Sequence, residues 1–129
     1  MALDLDALDD DVLTFLRDRH LATLTTMRTD GSPHVVPVGF GYDPTSRVAR
    51  VICQPTSQKA VNARSGGRAV VCQVDGGRWL TLEGSVRVVT DTDGVAAAVA
   101  AYTERYQAPR ERPERVALEI TVDRIMGRA

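Results

Sequence analysis

Apolar and polar side chains alternate through residues 78–89 of the chain. Leu80 and Leu82 lie on one side of this stretch, whereas Thr81 and Glu83 lie on the other. This period of two residues predicts a long β-strand with one buried face. A strand cannot bury that face alone, so the rest of the chain must supply the strands or helices that cover it.

Five further segments have the composition of strands and are separated by breaks rich in glycine, proline or aspartate. Three others are predicted to be helical: two of them have an apolar stripe at helical spacing, and the third is a short segment between the break at residues 54–55 and the glycines at residues 66–67. Because the strands are joined mostly by tight turns and the helices are inserted among them, we predict a mainly-β fold. It is a six-stranded antiparallel barrel with peripheral helices, in a single domain of residues 1–129. The predicted strands are residues 20–28, 34–42, 47–53, 68–74, 78–89 and 115–126, and the predicted helices are residues 6–17, 57–64 and 91–107.

Residues 34–40 have apolar side chains on both faces of their predicted strand. One face can fill the barrel, but the other needs a second cover, which a helix or a partner subunit could supply. We predict that a second copy of the chain supplies it and that the protein is a homodimer.

Charge and hydropathy exclude two classes of partner. The 129 residues carry sixteen basic and seventeen acidic side chains, a formal net charge of −1. A protein that binds nucleic acid through its phosphates carries an excess of basic residues instead. No apolar stretch is long enough to span a bilayer, and residues 1–4 lack the basic-then-apolar order of a signal peptide. We therefore expect a cytoplasmic protein that binds neither nucleic acid nor membrane.

The familiar catalytic motifs are missing from the sequence. His20 and His34 are predicted to have structural or surface roles, which disfavours a Ser-His-Asp triad. Cys53 and Cys72 lie in apolar, strand-like runs, which predicts buried reduced thiols and no metal site. If the protein is an enzyme, a bound cofactor is expected to perform the difficult step.

The start of the second predicted helix has the features of an anion site. Thr56 or Ser57 can cap the helix, which leaves backbone N–H groups free at its positive end. Lys59, the only lysine, lies in the first turn, where the helix dipole disfavours a cation unless an anion is bound. Gln58 and Asn62 share one helical face next to it. The alternative is an ordinary capped helix with a solvated lysine.

Two further segments suit a flat ligand. Arg78 and Trp79 follow a tight turn, so the indole could lie against a planar ring while the guanidinium pairs with an acidic group. Trp79 could equally close one end of the barrel. Pro37, Gly39 and Gly41 interrupt a strand, which marks a bulge or a place where a ring system or a partner subunit approaches the backbone.

The order of elements, with His-Leu-Ala-Thr-Leu-Thr-Thr at residues 20–26 and Gly-Ser-Pro-His-Val-Val-Pro-Val-Gly-Phe at residues 31–40, resembles a known superfamily. It is that of the split β-barrel flavin and deazaflavin oxidoreductases related to pyridoxamine phosphate oxidase. Ser-Gln-Lys-Ala-Val-Asn at residues 57–62 and the stretches at residues 73–80 and 82–84 are most similar to the mycobacterial members that reduce biliverdin with coenzyme F420. The similarity extends over residues 13–127. It implies a split barrel of the FMN-binding type and a homodimer with two cofactor sites at the subunit interface.

The resemblance also implies where the cofactor binds. The phosphate and acidic tail of coenzyme F420 are expected near the start of the second helix, and the deazaflavin ring along the backbone of the second strand. FMN is the alternative cofactor. The expected cofactor-binding residues are Val36, Pro37, Val38, Gly39, Ser57, Gln58, Lys59, Asn62, Arg78 and Trp79.

The implied reaction is hydride transfer from reduced F420 to biliverdin, which gives bilirubin. Arg110 and Arg112 are expected to bind the two propionates of this substrate. Three alternatives remain open: an F420-dependent reductase of another conjugated compound such as a quinone or unsaturated lactone, an FMN-dependent oxidase, and a non-catalytic cofactor carrier or accessory protein of haem degradation. The sequence identifies no catalytic proton donor.

Overall fold

The computed structural model describes residues 2–129, which form three helices and seven strands. In chain order these are α1 (Asp10–Arg17), β1 (Ala22–Met27), β2 (Pro33–Val38), β3 (Gly41–Asp43), β4 (Val48–Cys53), α2 (Gln58–Ala63), β5 (Arg68–Asp75), β6 (Arg78–Val89), α3 (Thr92–Arg105) and β7 (Val116–Arg128). The strands form one sheet in the order β2-β1-β5-β6-β7-β4-β3, and every neighbouring pair is antiparallel. The prediction of a mainly-β antiparallel fold with peripheral helices is confirmed.

The strand count differs from the prediction because the second predicted strand is divided in two. β2 ends at Val38 and β3 begins at Gly41, so the sheet has seven strands rather than six. Between them, the backbone of Phe40 bonds to the end of α3. Its N–H donates to the hydroxyl of Tyr106 at 3.1 Å, and its carbonyl accepts from Arg105 at 2.8 Å. These bonds occupy the groups that a continuous strand would offer to a neighbour.

The long alternating segment forms the central strand β6, as expected, but it is bent. Its pairing with β7 shifts register between Glu83 and Gly84. The β7 backbone at Thr121 lies so close to Gly84 that a Cβ there would overlap it. Glycine is therefore required at this bulge by the approach of the neighbouring strand.

The first helix begins later than predicted, and the other two begin within one residue of the predicted positions. The N-cap residues of α1 and α3 explain where these two helices begin. Asp9 accepts from the N–H of Val12 at 2.9 Å, so α1 begins at Asp10 rather than at residue 6. Asp91 caps α3 by accepting from the N–H of Gly94. No helix in residues 2–129 has the length and apolar content needed to cross a membrane.

The outer face of β2, β1, β5 and β6 exposes apolar side chains. Val35 is 58% exposed and Val74 is 64% exposed, and Met27 and Trp79 are also exposed. Val74 lies opposite Trp79 in the pairing of β5 with β6. We call these four residues the exposed sheet face. Because they are open to solvent, the helices of the described chain do not provide the second cover that the sequence requires.

Candidate functional site

A groove of about 400 Å³ opens where the ends of β2 and β4 meet the start of α2. The last turns of α3 and the segment that leads into β7 contribute its other wall. It is lined by Pro37, Val38, Gly39, Ile52, Cys53, Gln54, Ser57, Lys59, Tyr102, Pro109 and Arg115.

Five of the expected cofactor-binding residues line this groove together. Pro37, Val38 and Gly39 come from the end of β2, and Ser57 and Lys59 come from the start of α2. The expected place for a ring and the expected place for an anion are therefore parts of one groove, although they lie about twenty residues apart in the sequence. The other five expected residues do not line it.

Three of those five residues have positions that connect α2 and β2 to the core. Asn62 is buried, and its amide donates to the hydroxyl of Thr26 on β1 at 3.0 Å. Gln58 donates to the side-chain oxygen of Asn62 at 2.6 Å. Val36 is half-buried and packs against the hydrophobic core. These three side chains do not line the groove, but their contacts support the α2 and β2 segments that form its walls.

Arg78 and Trp79 lie at the turn between β5 and β6, outside the groove of their own chain. Arg78 is exposed, pairs with Asp75 at 2.5 Å and lies 4.4 Å from the ring centre of Phe15. Trp79 belongs to the exposed sheet face. Within one chain, these two residues therefore do not complete the groove.

The close approach indicated by the glycines is made by α3. A Cβ on Gly39 would lie 2.9 Å from Tyr106 and 3.0 Å from Tyr102, and one on Gly41 would lie 2.9 Å from the Cβ of Ala101. The two glycines thus allow α3 to pack against the turn between β2 and β3. The same packing brings the ring of Tyr102 to the groove beside Gly39.

The start of α2 differs from the predicted capping arrangement. Ser57 occupies the N-cap position, but no side chain caps the helix, because the Ser57 hydroxyl donates to the carbonyl of Gln54 at 2.7 Å. Ser57 is therefore the N-cap residue, which was one of the two predicted alternatives, but its hydroxyl does not form the capping hydrogen bond. The first backbone N–H groups of α2 keep no side-chain acceptor, and Lys59 follows beside them.

The groove is positively charged. Among residues 2–129, Lys59 and Arg115 are its only charged lining residues, and no carboxylate of these residues lines it. Among the buried and half-buried cations of residues 2–129, Arg47 and Arg50 pair with carboxylates, and Arg105 donates to three carbonyls and a side-chain amide. Lys59 and Arg115 have no carboxylate partner in the described part of the chain. A half-buried cation without a counter-charge favours a bound anion, because the anion offsets its desolvation.

The groove offers binding rather than nucleophilic chemistry. Burial raises the pKa of the Cys53 thiol, with Ser57, Lys59 and Arg64 acting weakly in the opposite direction. The thiol is therefore protonated near neutral pH and is a poor nucleophile. In the part of the chain that the structure describes, neither a histidine nor a carboxylate lines the groove to serve as a general base. A bound cofactor must therefore supply the reactive group.

A larger cavity of about 670 Å³ lies on another side of α3, between α1 and β3. Asp43 and Glu104 line it together with Arg17 and Arg50, so its charges are mixed. It contains none of the expected cofactor-binding residues, although Gly41, which the sequence marked as a bulge or a place where a ring system or a partner subunit approaches the backbone, lines it. The smaller groove is the better candidate because its charge has one sign and its walls combine both predicted segments.

Arg105 was not identified from the sequence, yet it holds the groove walls together. It is 7% exposed, and its guanidinium donates to the carbonyls of Asp18 and Phe40 at 2.8 Å and to the side chain of Gln73 at 2.5 Å. Burial lowers its pKa, but an arginine remains charged at neutral pH. Tyr102, Pro109 and Arg115 were also missed as lining residues.

Comparison with solved structures identifies the class of fold. A conserved hypothetical protein from Mycobacterium tuberculosis, Rv2991, superposes with a TM-score of 0.79 at 22% identity, covering 95% of this chain and 85% of that protein. A structure described as an F420 reductase superposes with a TM-score of 0.74 at 23% identity, covering 92% of this chain and 98% of that one. The fold is therefore the split barrel that the resemblance implied.

The sequence comparisons identify the family. The pyridoxamine 5'-phosphate oxidase family matches residues 8–128. An F420H2-dependent biliverdin reductase from Mycobacterium tuberculosis (strain CDC 1551 / Oshkosh) is 54% identical over 122 residues, which cover 95% of this chain and 89% of that protein. The chain belongs to the pyridoxamine 5'-phosphate oxidase family, and it is an oxidoreductase.

Proposed function

We propose that this protein is an F420H2-dependent reductase that transfers a hydride to biliverdin and so produces bilirubin. The structural observation that carries the proposal is the groove in which the unpaired Lys59 and the β2 backbone at Pro37–Gly39 meet. The 54% identity to an F420H2-dependent biliverdin reductase supports the choice of coenzyme and substrate.

The residues of the groove fit an anionic coenzyme with a flat ring. Lys59 and Ser57 would bind its phosphate and acidic tail, and the backbone of residues 36–39 would lie along its ring. Val38 and Tyr102 would shield the ring from water. When bound, reduced F420 supplies the hydride, which is the one step that no side chain of the groove can perform.

The arginine-rich segment beside the groove suits a dicarboxylate substrate. Arg110 and Arg112 are exposed and do not line the groove, but Pro109 and Arg115 on either side of them do. We propose that these two arginines bind the propionates of biliverdin at the mouth of the groove. Guanidinium groups are well suited to this because they bind carboxylates through paired hydrogen bonds.

We also propose that the protein is a homodimer and that it acts in the cytoplasm. The exposed sheet face needs an apolar cover, and a second copy of the chain would bury it. In such a dimer, Arg78 and Trp79 of one protomer could complete the groove of the other. The unpaired state of Cys53 and Cys72 is consistent with a reducing compartment.

Binding and turnover test the proposed function. We expect calorimetric titration to show tight binding of F420 and weak binding of FMN, and F420H2 to be oxidised in the presence of biliverdin with formation of bilirubin. Binding of FMN instead of F420 would favour an oxidase of the FMN type. If the protein binds F420 and reduces a quinone or an unsaturated lactone but not biliverdin, the assignment of biliverdin as the substrate is wrong.

Replacing Lys59 with alanine tests the anion site. We expect the Kd for F420 to rise about tenfold or more, because one charge-assisted contact contributes roughly 1.5–3 kcal/mol. Thermal stability should hardly change, since Lys59 forms no ion pair and lies where the helix dipole disfavours a cation. Lys59→Arg, which keeps the charge, is the matched control and should retain most of the affinity. Unchanged affinity in the alanine variant would exclude Lys59 from the site.

A further inference from the structure

Arg115 lines the groove and also forms hydrogen bonds to the neighbouring segment, residues 107–114. Its backbone N–H donates to the carbonyl of Arg112 at 3.0 Å, and its guanidinium donates to the carbonyl of Arg110 at 2.7 Å. Within residues 2–129, these two bonds are the ones that anchor the backbone of residues 107–114. The Arg115 side chain therefore holds this segment at one point, the carbonyl of Arg110.

The guanidinium of Arg115 retains free donors for a ligand. Arg115 is half-buried and lines the groove together with Ser57 and Lys59 at the start of α2, and no carboxylate of residues 2–129 pairs with it. One of its five N–H groups is used by the Arg110 carbonyl. With Lys59 it forms the pair of uncompensated cations that lines the groove.

We propose that Arg115 binds the anionic part of the coenzyme and thereby orders residues 107–114 for the substrate. An anion in the groove would fix the guanidinium, and the fixed guanidinium would hold the Arg110 carbonyl. Arg110 and Arg112 are then presented together to a substrate with two carboxylates. The coenzyme binds first and the carboxylate substrate second. This inference rests on the proposed function, and it adds a residue and an order of binding to it.

The exposed arginines provide a direct readout of this ordering. Trypsin cleaves after Arg110, whereas the bond after Arg112 precedes proline and resists it. We expect saturating F420 to slow cleavage at Arg110–Glu111 by about fivefold or more in the wild-type protein, since cleavage follows the population of the open segment. The Kd for F420 should rise about tenfold in Arg115→Gln, through loss of a charge-assisted contact.

The variants separate a role in coupling from simple loss of charge. In Arg115→Gln at saturating F420, the protection of Arg110–Glu111 should be absent. Arg115→Lys should keep part of the affinity but little protection, because one ammonium cannot reproduce the paired geometry of the guanidinium. Arg17→Gln, which removes an exposed arginine of α1 that lies outside the groove and has no ion pair within residues 2–129, is the matched control and should behave as the wild type.

Two outcomes would overturn the inference. If Arg115→Gln binds F420 with wild-type affinity, or if F420 protects its Arg110–Glu111 bond as well as in the wild type, Arg115 does not couple the two sites. Neither result contradicts the proposed function, provided that the wild-type protein binds F420 and oxidises F420H2. If the wild type does not bind F420, the proposed function and this inference fall together.

Discussion

Arg105→Leu is expected to lower the free energy of unfolding by about 3 kcal/mol, as measured by urea denaturation. The substitution leaves the buried side-chain oxygen of Gln73 without its donor, and it leaves the Phe40 carbonyl with only the longer bond from the Tyr106 hydroxyl at 3.3 Å. An unsatisfied buried group costs roughly 1–3 kcal/mol. Burial lowers the pKa of Arg105, which shows that keeping its charge in the interior costs free energy. Removing this charge therefore offsets part of the loss. Because Arg105 joins α3 to the Phe40 turn, affinity for F420 should fall as well.

A double-mutant cycle with Gln73 shows whether the lost hydrogen bonds cause the effect. Gln73 is fully buried and donates to the carbonyl of Phe15, so Gln73→Leu is itself destabilising. The double variant Arg105→Leu/Gln73→Leu should lose less free energy of unfolding than the two single variants lose together, because it no longer contains the unpaired amide oxygen of Gln73. Arg17→Leu, at an exposed arginine, should change stability little. An additive cycle would contradict the interpretation.

Val74→Arg is expected to convert the protein from a dimer to a monomer, as measured by sedimentation equilibrium. Val74 is 64% exposed in the single chain and lies beside Trp79, so the substitution should not disturb the core. In a symmetric dimer each change occurs twice, and burying an unpaired charge costs several kcal/mol. If Arg78 and Trp79 complete the partner's groove, the monomer should also bind F420 less tightly.

The control for this prediction is Ser46→Arg, which adds the same charge in the turn between β3 and β4, away from the exposed sheet face. It should remain dimeric. A wild-type protein that sediments as a monomer at micromolar concentration would refute the proposed homodimer. A Val74→Arg variant that stays dimeric would instead place the interface on another surface.

The candidate site was predictable only in part. Lys59 and the Pro37–Gly39 backbone were identified because their residue types are unusual for the elements that contain them. Asn62 was placed in the site because it follows Gln58 by one helical turn, but its amide bonds to Thr26 on a distant strand. Spacing along a helix identifies which side chains share a face, but it does not identify what that face meets.

The sequence by itself determined the local structure of this protein. The two-residue alternation of residues 78–89, the turn residues and the helical spacing established strands, helices and an antiparallel arrangement, because these patterns depend on neighbours a few residues apart. Only the tertiary structure decided where β2 ends, which cations remain without a counter-charge and which residues share the groove. Arg105 and Phe40 are 65 positions apart, and their hydrogen bond stands in place of strand pairing. No local pattern records such a contact, because it exists only once distant segments pack together.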